Sequence, residues 1–162
     1  MTEGRRSFFS LVLGALFVVS IGVLPSSAFA IPFAGSGKVL VTVRTVLAKS
    51  DGAQAPLPEA LRDIESALAP FQFKSYELRS TEKATLEAKS QRTLSIEGGH
   101  SLTISVANIE ESATKVHVRL VKGEAKKFEG DFTVKRTNPT FIIAGWNVDG
   151  GKLLIPVTVG AP

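Results

Sequence analysis

The 162-residue sequence contains no cysteine, and that single absence removes much chemistry. Disulfide staples, a lipid anchor on a cysteine, thiol nucleophiles and cysteine-held zinc or iron–sulfur centres are all excluded. A fold built without them rests on its apolar core. Histidine is nearly as scarce: His100 and His117 are the only two, and neither belongs to an H-x-x-x-H or H-E-x-x-H pair. There is no acidic calcium loop, no G-x-S-x-G elbow and no phosphate-cradling G-x-x-x-x-G-K-[ST] loop. The run Gly35, Ser36, Gly37, Lys38 has only the end of such a loop, with no strand before it. No cofactor, metal ligand or catalytic residue is therefore expected. Strong charge of one sign is also missing, since 19 basic against 15 acidic side chains leave +4. With 44% apolar and 21% charged residues, the chain has the composition of a folded domain and not of a disordered one.

What is present begins with an export signal. Arg5 and Arg6 give a positive start, and residues 8–24 form an apolar run broken only by Ser10, Gly14, Ser20 and Gly22. Pro25, Ser26 and Ser27 end the run, and Ala28, Phe29, Ala30 form the small-x-small site that a signal peptidase reads. Cleavage after Ala30 leaves 132 residues with 17 basic and 14 acidic groups, a net charge of +3. An apolar stretch of about 17 residues is at the short limit for spanning a bilayer, so retention as an anchor is the alternative. The Pro25 break and the A-x-A site favour removal. The run Arg5, Arg6, Ser7, Phe8, Phe9 also resembles the twin-arginine export motif, from which Gly4 and Ser10 depart. The apolar run suits the general secretory route equally well, and both routes stay open. The expected location is the periplasm or the medium, with the membrane met only through the leader.

The mature chain divides into a flexible start at 31–37 and one domain at 38–160, since 132 residues suffice for a single core. Residues 38–48 (KVLVTVRTVLA) alternate and are rich in β-branched side chains, which predicts a strand. Asp51, Gly52, Pro56 and Pro58 mark a loop. Leu61, Ile64 and Leu68 then fall at helical spacing until Pro70 stops the run. From Phe71 onward the period is two, predicting strands at 73–78, 84–88, 93–97, 102–109, 115–121, 128–135, 141–148 and 152–159. The fold class is thus α+β and mostly β: one strand and one helix followed by an antiparallel meander, forming a sandwich or a partly closed barrel.

Matching apolar faces fixes the parity of each turn, because a one-residue slip turns every side chain over. Placing Ile96 opposite Leu102 requires a three-residue turn at Gly98, Gly99 and His100. Placing Leu120 opposite Phe128, and Val116 opposite Phe132, gives a three-residue loop at 123–125. Asp149 and Gly150 supply a two-residue turn of type I′, which sets Trp146 opposite Leu153, Ala144 opposite Ile155 and Ile142 opposite Val157. Pro156 has no backbone donor and is expected at a sheet edge or a bulge.

Candidate chemistry is sparse. Both histidines read as surface residues, His100 on a glycine turn and His117 alternating with Lys115 and Arg119. Serines such as Ser101 and Ser105 have no identifiable base in the sequence. Asp131, His117, Lys115 and Arg119 are the candidates for the alternative reading, a small enzyme or ligand binder whose polar residues converge only in three dimensions. Lys122, Lys126, Lys127, Lys135 and Arg136 form a basic cluster that would meet an anionic envelope polymer, or simply make a solvated face balanced by Glu124 and Glu129. No aromatic side chains interleave with them as stacking platforms, so nucleic acid is not an expected partner.

The leader, the valine-rich strand, LRDIESAL, PFQFKSYEL, LSIEGGHSLTISV, VHVRLVKG and PTFIIAGWNVDGGKLLIPVTV together resemble a group of uncharacterised bacterial exported proteins. The likeness covers nearly the whole mature chain. In that group the closing hairpin reads like T-x-x-V-G-G-P, and Gly145, Trp146 and Asn147 replace part of it here. The resemblance implies export and a small β-rich domain, and it implies no particular activity. The expected role is a non-catalytic domain that binds an envelope protein partner, or supports an envelope assembly, through a strand edge or its loops.

Overall fold

A computed structural model describes residues 37–148 and 150–162. The export-signal residues Arg5, Arg6, Phe8, Phe9, Ala28 and Ala30, the segment 31–36 and the turn residue Asp149 lie outside the described residues. In chain order the strands are β1 (Lys38–Lys49), β2 (Ser75–Glu87), β3 (Gln91–Ile96), β4 (His100–Ile109), β5 (Ala113–Lys122), β6 (Ala125–Lys135), β7 (Thr140–Val148) and β8 (Gly151–Gly160). They form two antiparallel four-stranded sheets in the orders β2-β1-β8-β7 and β3-β4-β5-β6. This is the sandwich of the two expected architectures: among the described residues, β2 and β7 border one sheet, and β3 and β6 the other.

Period-two alternation builds the core. Val39, Val41 and Val43 of β1, with Leu153, Ile155, Val157 and Val159 of β8, face Leu102, Ile104, Val116, Val118 and Leu120 of the second sheet. A smaller cluster forms on the outer face of the first sheet, where Val46, Ala48 and Leu154 receive Leu61, Ile64 and Leu68. That stripe is the one predicted, and all three of its members are fully buried. The helix there is short. A 3₁₀ turn at Glu59–Ile64 runs into one α-helical turn, α1 (Glu65–Leu68), confined between Pro58 and Pro70. Arg44 of β1 donates to Asp63 at 2.7 Å, and the Tyr76 hydroxyl donates to the Phe71 carbonyl, so both ends of the segment are tied to the sheet.

The strands expected at 73–78 and 84–88 are one continuous β2. Its middle, residues 79–83, is polar and exposed, and pairing with β1 keeps it extended without burial. The β3–β4 turn has the expected odd length but lies one residue earlier, at 97–99, with Leu94 opposite Leu102 and Ile96 opposite His100. On β5 and β6, Leu120 does oppose Phe128 and Val116 does oppose Phe132. The loop there is only Gly123 and Glu124, and Lys127 is the extra residue of a bulge that restores the parity.

The last hairpin departs most. Asn147 opposes Lys152 and Val148 opposes Gly151, as a two-residue turn requires, but a bulge at Gly145 and Trp146 shifts the register beyond it by one. Ile143 therefore faces Ile155, and Phe141 faces Val157, where Ala144 and Ile142 were expected. Ile143 enters the main core, Ala144 is exposed and Ile142 turns to the outer cluster. Gly145 permits the bulge: a Cβ on it would stand 2.5 Å from the Leu153 carbonyl oxygen.

Pro156 sits in an interior strand, not at an edge. The Val159 N–H donates to the Pro139 carbonyl at 2.9 Å, on the β7 side of β8. Donors alternate along an antiparallel ladder, so residues 157 and 155 also point to β7 and position 156 points to β1. The β1–β8 ladder is interrupted there, between Val43 opposite Val157 and Val46 opposite Leu154. The absent donor of proline falls where no bond is made.

Candidate functional site

The outer face of the second sheet collects the polar residues of four strands. Its register lines up Gln91, Ser105, His117 and Asp131 in one row, and Thr93, Thr103, Arg119 and Glu129 in the next. The Thr93 and Thr103 hydroxyls bond at 2.9 Å, and the Ser105 hydroxyl donates to Gln91 Oε1 at 3.3 Å. Two of the four candidates named from the sequence meet here. His117 Nδ1 lies 2.8 Å from Asp131 Oδ1, and its Nε2 lies 3.3 Å from Glu129 Oε1. Lys115 turns away to Glu110, at 3.2 Å, and Arg119 stands in the neighbouring row.

Serine, histidine and aspartate are thus adjacent, which the sequence did not disclose. Their geometry is nevertheless not that of an activated nucleophile. A general base must offer an unprotonated nitrogen to the hydroxyl, whereas both ring nitrogens of His117 are turned to carboxylates on β6. The hydrogen bond and charge of Asp131, seconded by Glu129, raise the His117 pKa above its ordinary value and favour the imidazolium. Lys126 at 2.8 Å holds the Glu129 carboxyl below its ordinary value. The arrangement is a row of alternating charges across β5 and β6. Ser80 and Lys83 have the S-x-x-K spacing of a serine nucleophile and a lysine base, but three residues apart on extended β2 they point to opposite faces. Among the described residues, no cluster of three or more histidine or acidic side chains is placed to hold a metal ion.

The basic cluster divides in two. Lys122, Lys126 and Lys127 surround the β5–β6 turn, while Lys135 ends β6 and Arg136 follows it. Eight residues of strand, about 26 Å at ~3.3 Å each, separate Lys127 from Lys135. The hairpin holds apart residues that lie close in the sequence.

His100 is buried, contrary to the surface position expected of it. It is the first residue of β4, and alternation with Leu102 and Ile104 points it inward. A turn at 98–100 would leave it outside the strand, whereas the turn at 97–99 makes it the partner of Ile96. Its ring stacks on Trp146 of β7, with centroids 3.4 Å apart and planes 18° from parallel, so the pair joins the two sheets at their turn end. Gly98, at φ +83°, passes beside both rings, where a Cβ would lie 3.2 Å from Trp146 Nε1. Burial lowers the His100 pKa, and the charges of Lys122 and Lys127 act in the same direction. His100 Nδ1 and Trp146 Nε1 are both buried, and neither has a hydrogen-bond partner among the described residues.

Two open clefts are prominent. One, of about 390 Å³, lies between the loop at 54–57 and α1 and is lined by Pro56, Leu57, Leu68 and Tyr76. The other, of about 460 Å³, lies at the β7–β8 turn against Phe73, Asn147 and Lys152. Neither contains the His117 row.

The four border strands differ in a way that bears on recognition. An unpaired strand offers its backbone groups to any other chain, and natural edges are usually blunted by charge or brevity. β2 carries Glu77, Arg79, Glu82, Lys83 and Glu87; β6 carries Lys126, Lys127, Glu129, Asp131 and Lys135; β3 is six residues long and carries Arg92. β7, TFIIAGWNV, has no charged residue. Alongside it, Phe132 stacks on Phe141 at 4.1 Å, and Phe128 lies 6.1 Å from Phe132. These rings are half-buried against the core and line the open side between β6 and β7. No protein-family model matches the chain, and comparison with curated proteins and with solved structures also finds no match.

Proposed function

We propose that this protein is an exported, periplasmic or secreted domain that acts without catalysis, binding a protein partner by strand addition and so supporting an envelope assembly. The observation that carries the reading is β7, an uncharged border strand beside an aromatic seam, where the other three borders carry charge. Strand addition draws affinity from main-chain hydrogen bonds and specificity from the side chains that alternate beside them. The leader read from residues 1–30, and the resemblance to bacterial exported proteins, support the location. The experiment is affinity capture from an envelope extract of the producing cell, with the unaltered protein, an Ala144→Lys variant on β7 and a Ser95→Lys control on β3. A partner retained by the first and the control but lost with Ala144→Lys supports the reading. Equal capture by all three, or none by any, refutes it. Cell fractionation tests the location, and an intact leader on cytoplasmic protein would refute export. A second reading, binding of an anionic envelope polymer, draws support from Lys122, Lys126 and Lys127 at one turn. Binding to purified polymer that persists unchanged at high salt, or no binding, would dispose of it.

A further inference from the structure

We infer that the strand added to β7 is the β7 of a second copy of this chain, antiparallel about a two-fold axis at Ile142. The inference rests on the strand-addition reading and names its partner.

The backbone dictates where such a pairing can form. Because the Val159 N–H donates to the Pro139 carbonyl, the bonded pairs of the β7–β8 ladder continue at Phe141 with Val157 and Ile143 with Ile155. The N–H and C=O groups of Thr140, Ile142 and Ala144 therefore point to the open side, where the sheet has no further strand among the described residues. This stretch is bounded by Pro139 before it and by the bulge at Gly145 and Trp146 after it. Its midpoint is Ile142. Antiparallel pairing of the stretch with its own copy sets Thr140 against Ala144, and Ile142 against itself. At each of these positions both partners present the outward donor and acceptor that a closely bonded pair exchanges. A register displaced by one residue would match outward groups with inward ones.

Charge favours the same occupant. A strand bearing lysine or glutamate would have to desolvate it against β7, where no opposite charge stands on the strand. TFIIAGWNV against itself brings no charge to the pairing. Phe141 and Ile143 of each copy then lie on the core side, extending the seam of Phe128, Phe132 and Phe141, while Ile142 and Ala144 lie on the outer side. The contact is isologous, the form that closes at two copies and does not propagate.

The test is sedimentation of the purified protein, expressed from the 162-residue sequence, across a concentration series. A monomer–dimer equilibrium is expected, with its dissociation constant raised at least roughly tenfold by Ala144→Lys and unchanged by Ser95→Lys. Ala144 is exposed, and circular dichroism with urea unfolding is to be run on each variant as the check that it stays folded. Ile142→Cys introduces the chain's one thiol, and a short bifunctional thiol reagent should join two copies through it, whereas Thr93→Cys on the second sheet should not be joined. A monomer at all concentrations, or a dimer indifferent to Ala144→Lys and not joined through residue 142, overturns the inference. If the protein is monomeric yet captures an envelope protein that Ala144→Lys releases, the second copy is refuted as occupant and strand addition stands.

Discussion

Replacing Gly145 by alanine probes the bulge that sets the whole outer half of β7. The added Cβ would lie 2.5 Å from the carbonyl oxygen and 3.2 Å from the carbonyl carbon of Leu153. Both are backbone atoms of β8, an interior strand with β1 on its other side, so β8 has nowhere to recede. Relief to a tolerable 3.0 Å requires β7 to move outward by about 0.5 Å, which disturbs the Trp146 stack on His100. Overpacking of this kind costs about 1–3 kcal/mol, offset by ~0.4–1 kcal/mol from the smaller entropy of the unfolded alanine chain. A net loss of about 1–2 kcal/mol is expected, which lowers the melting temperature by roughly 4–8 °C in a domain of this size. Urea unfolding followed by the fluorescence of Trp146, the only tryptophan, measures it next to the site of change. Two further substitutions set the scale. Gly160→Ala has no neighbour within 4 Å and should cost nothing. Gly130→Ala would meet the tip of the Phe128 ring at 3.1 Å, which can swing, and should cost less than about 1 kcal/mol. A Gly145→Ala midpoint within about 0.5 kcal/mol of the unaltered protein, or equal to that of Gly160→Ala, would refute the close approach.

Acid should act on the His100–Trp146 stack. The folded pKa of His100 is lowered, so its contribution to stability is fully present above the ordinary value of 6.5 and lost as pH falls through the folded value. Trp146 emission should change over that range, and His100→Gln should abolish the change; an unaltered titration in the variant would contradict the assignment. His117 works in the opposite sense. Its pKa is raised, so the stability it supplies is complete below 6.5 and declines as pH rises through the folded value. Asp131→Asn should lower that pKa in an NMR titration and destabilise the protein more at pH 6 than at pH 9, and a pKa that does not move would refute the pairing. Tyr76→Phe deletes the hydroxyl that donates to the Phe71 carbonyl and should cost about 0.5–1.5 kcal/mol in urea unfolding. An unchanged midpoint would mean that this bond does not hold the α1 segment.

The alternation of Val39, Val41 and Val43, the stripe of Leu61, Ile64 and Leu68, and the turn glycines were enough to establish a strand, a covering apolar segment and a series of hairpins. Side-chain periodicity is a local property, and so it survives in the sequence. The pairing of Leu120 with Phe128 was legible for the same reason. Bulges were not, since one extra residue at Lys127 or at Gly145 and Trp146 alters the register while leaving composition and turn signals unchanged. That hidden shift decided which of Ile142, Ile143 and Ala144 entered the core. The pairing of β1 with β8, which makes Pro156 interior, depends on contacts more than a hundred residues apart that no window along the chain contains. The same holds for the candidate sites. The sequence alone determined what chemistry was available: no thiol, two histidines and, at 140–148, an apolar segment without charge. Only the tertiary structure decided that His117 faces two carboxylates, that His100 is buried against Trp146, that the basic residues stand at opposite ends of β6, and that the uncharged segment borders a sheet. Each of those depends on which strands are neighbours, and neighbours are chosen by the packing of the whole core.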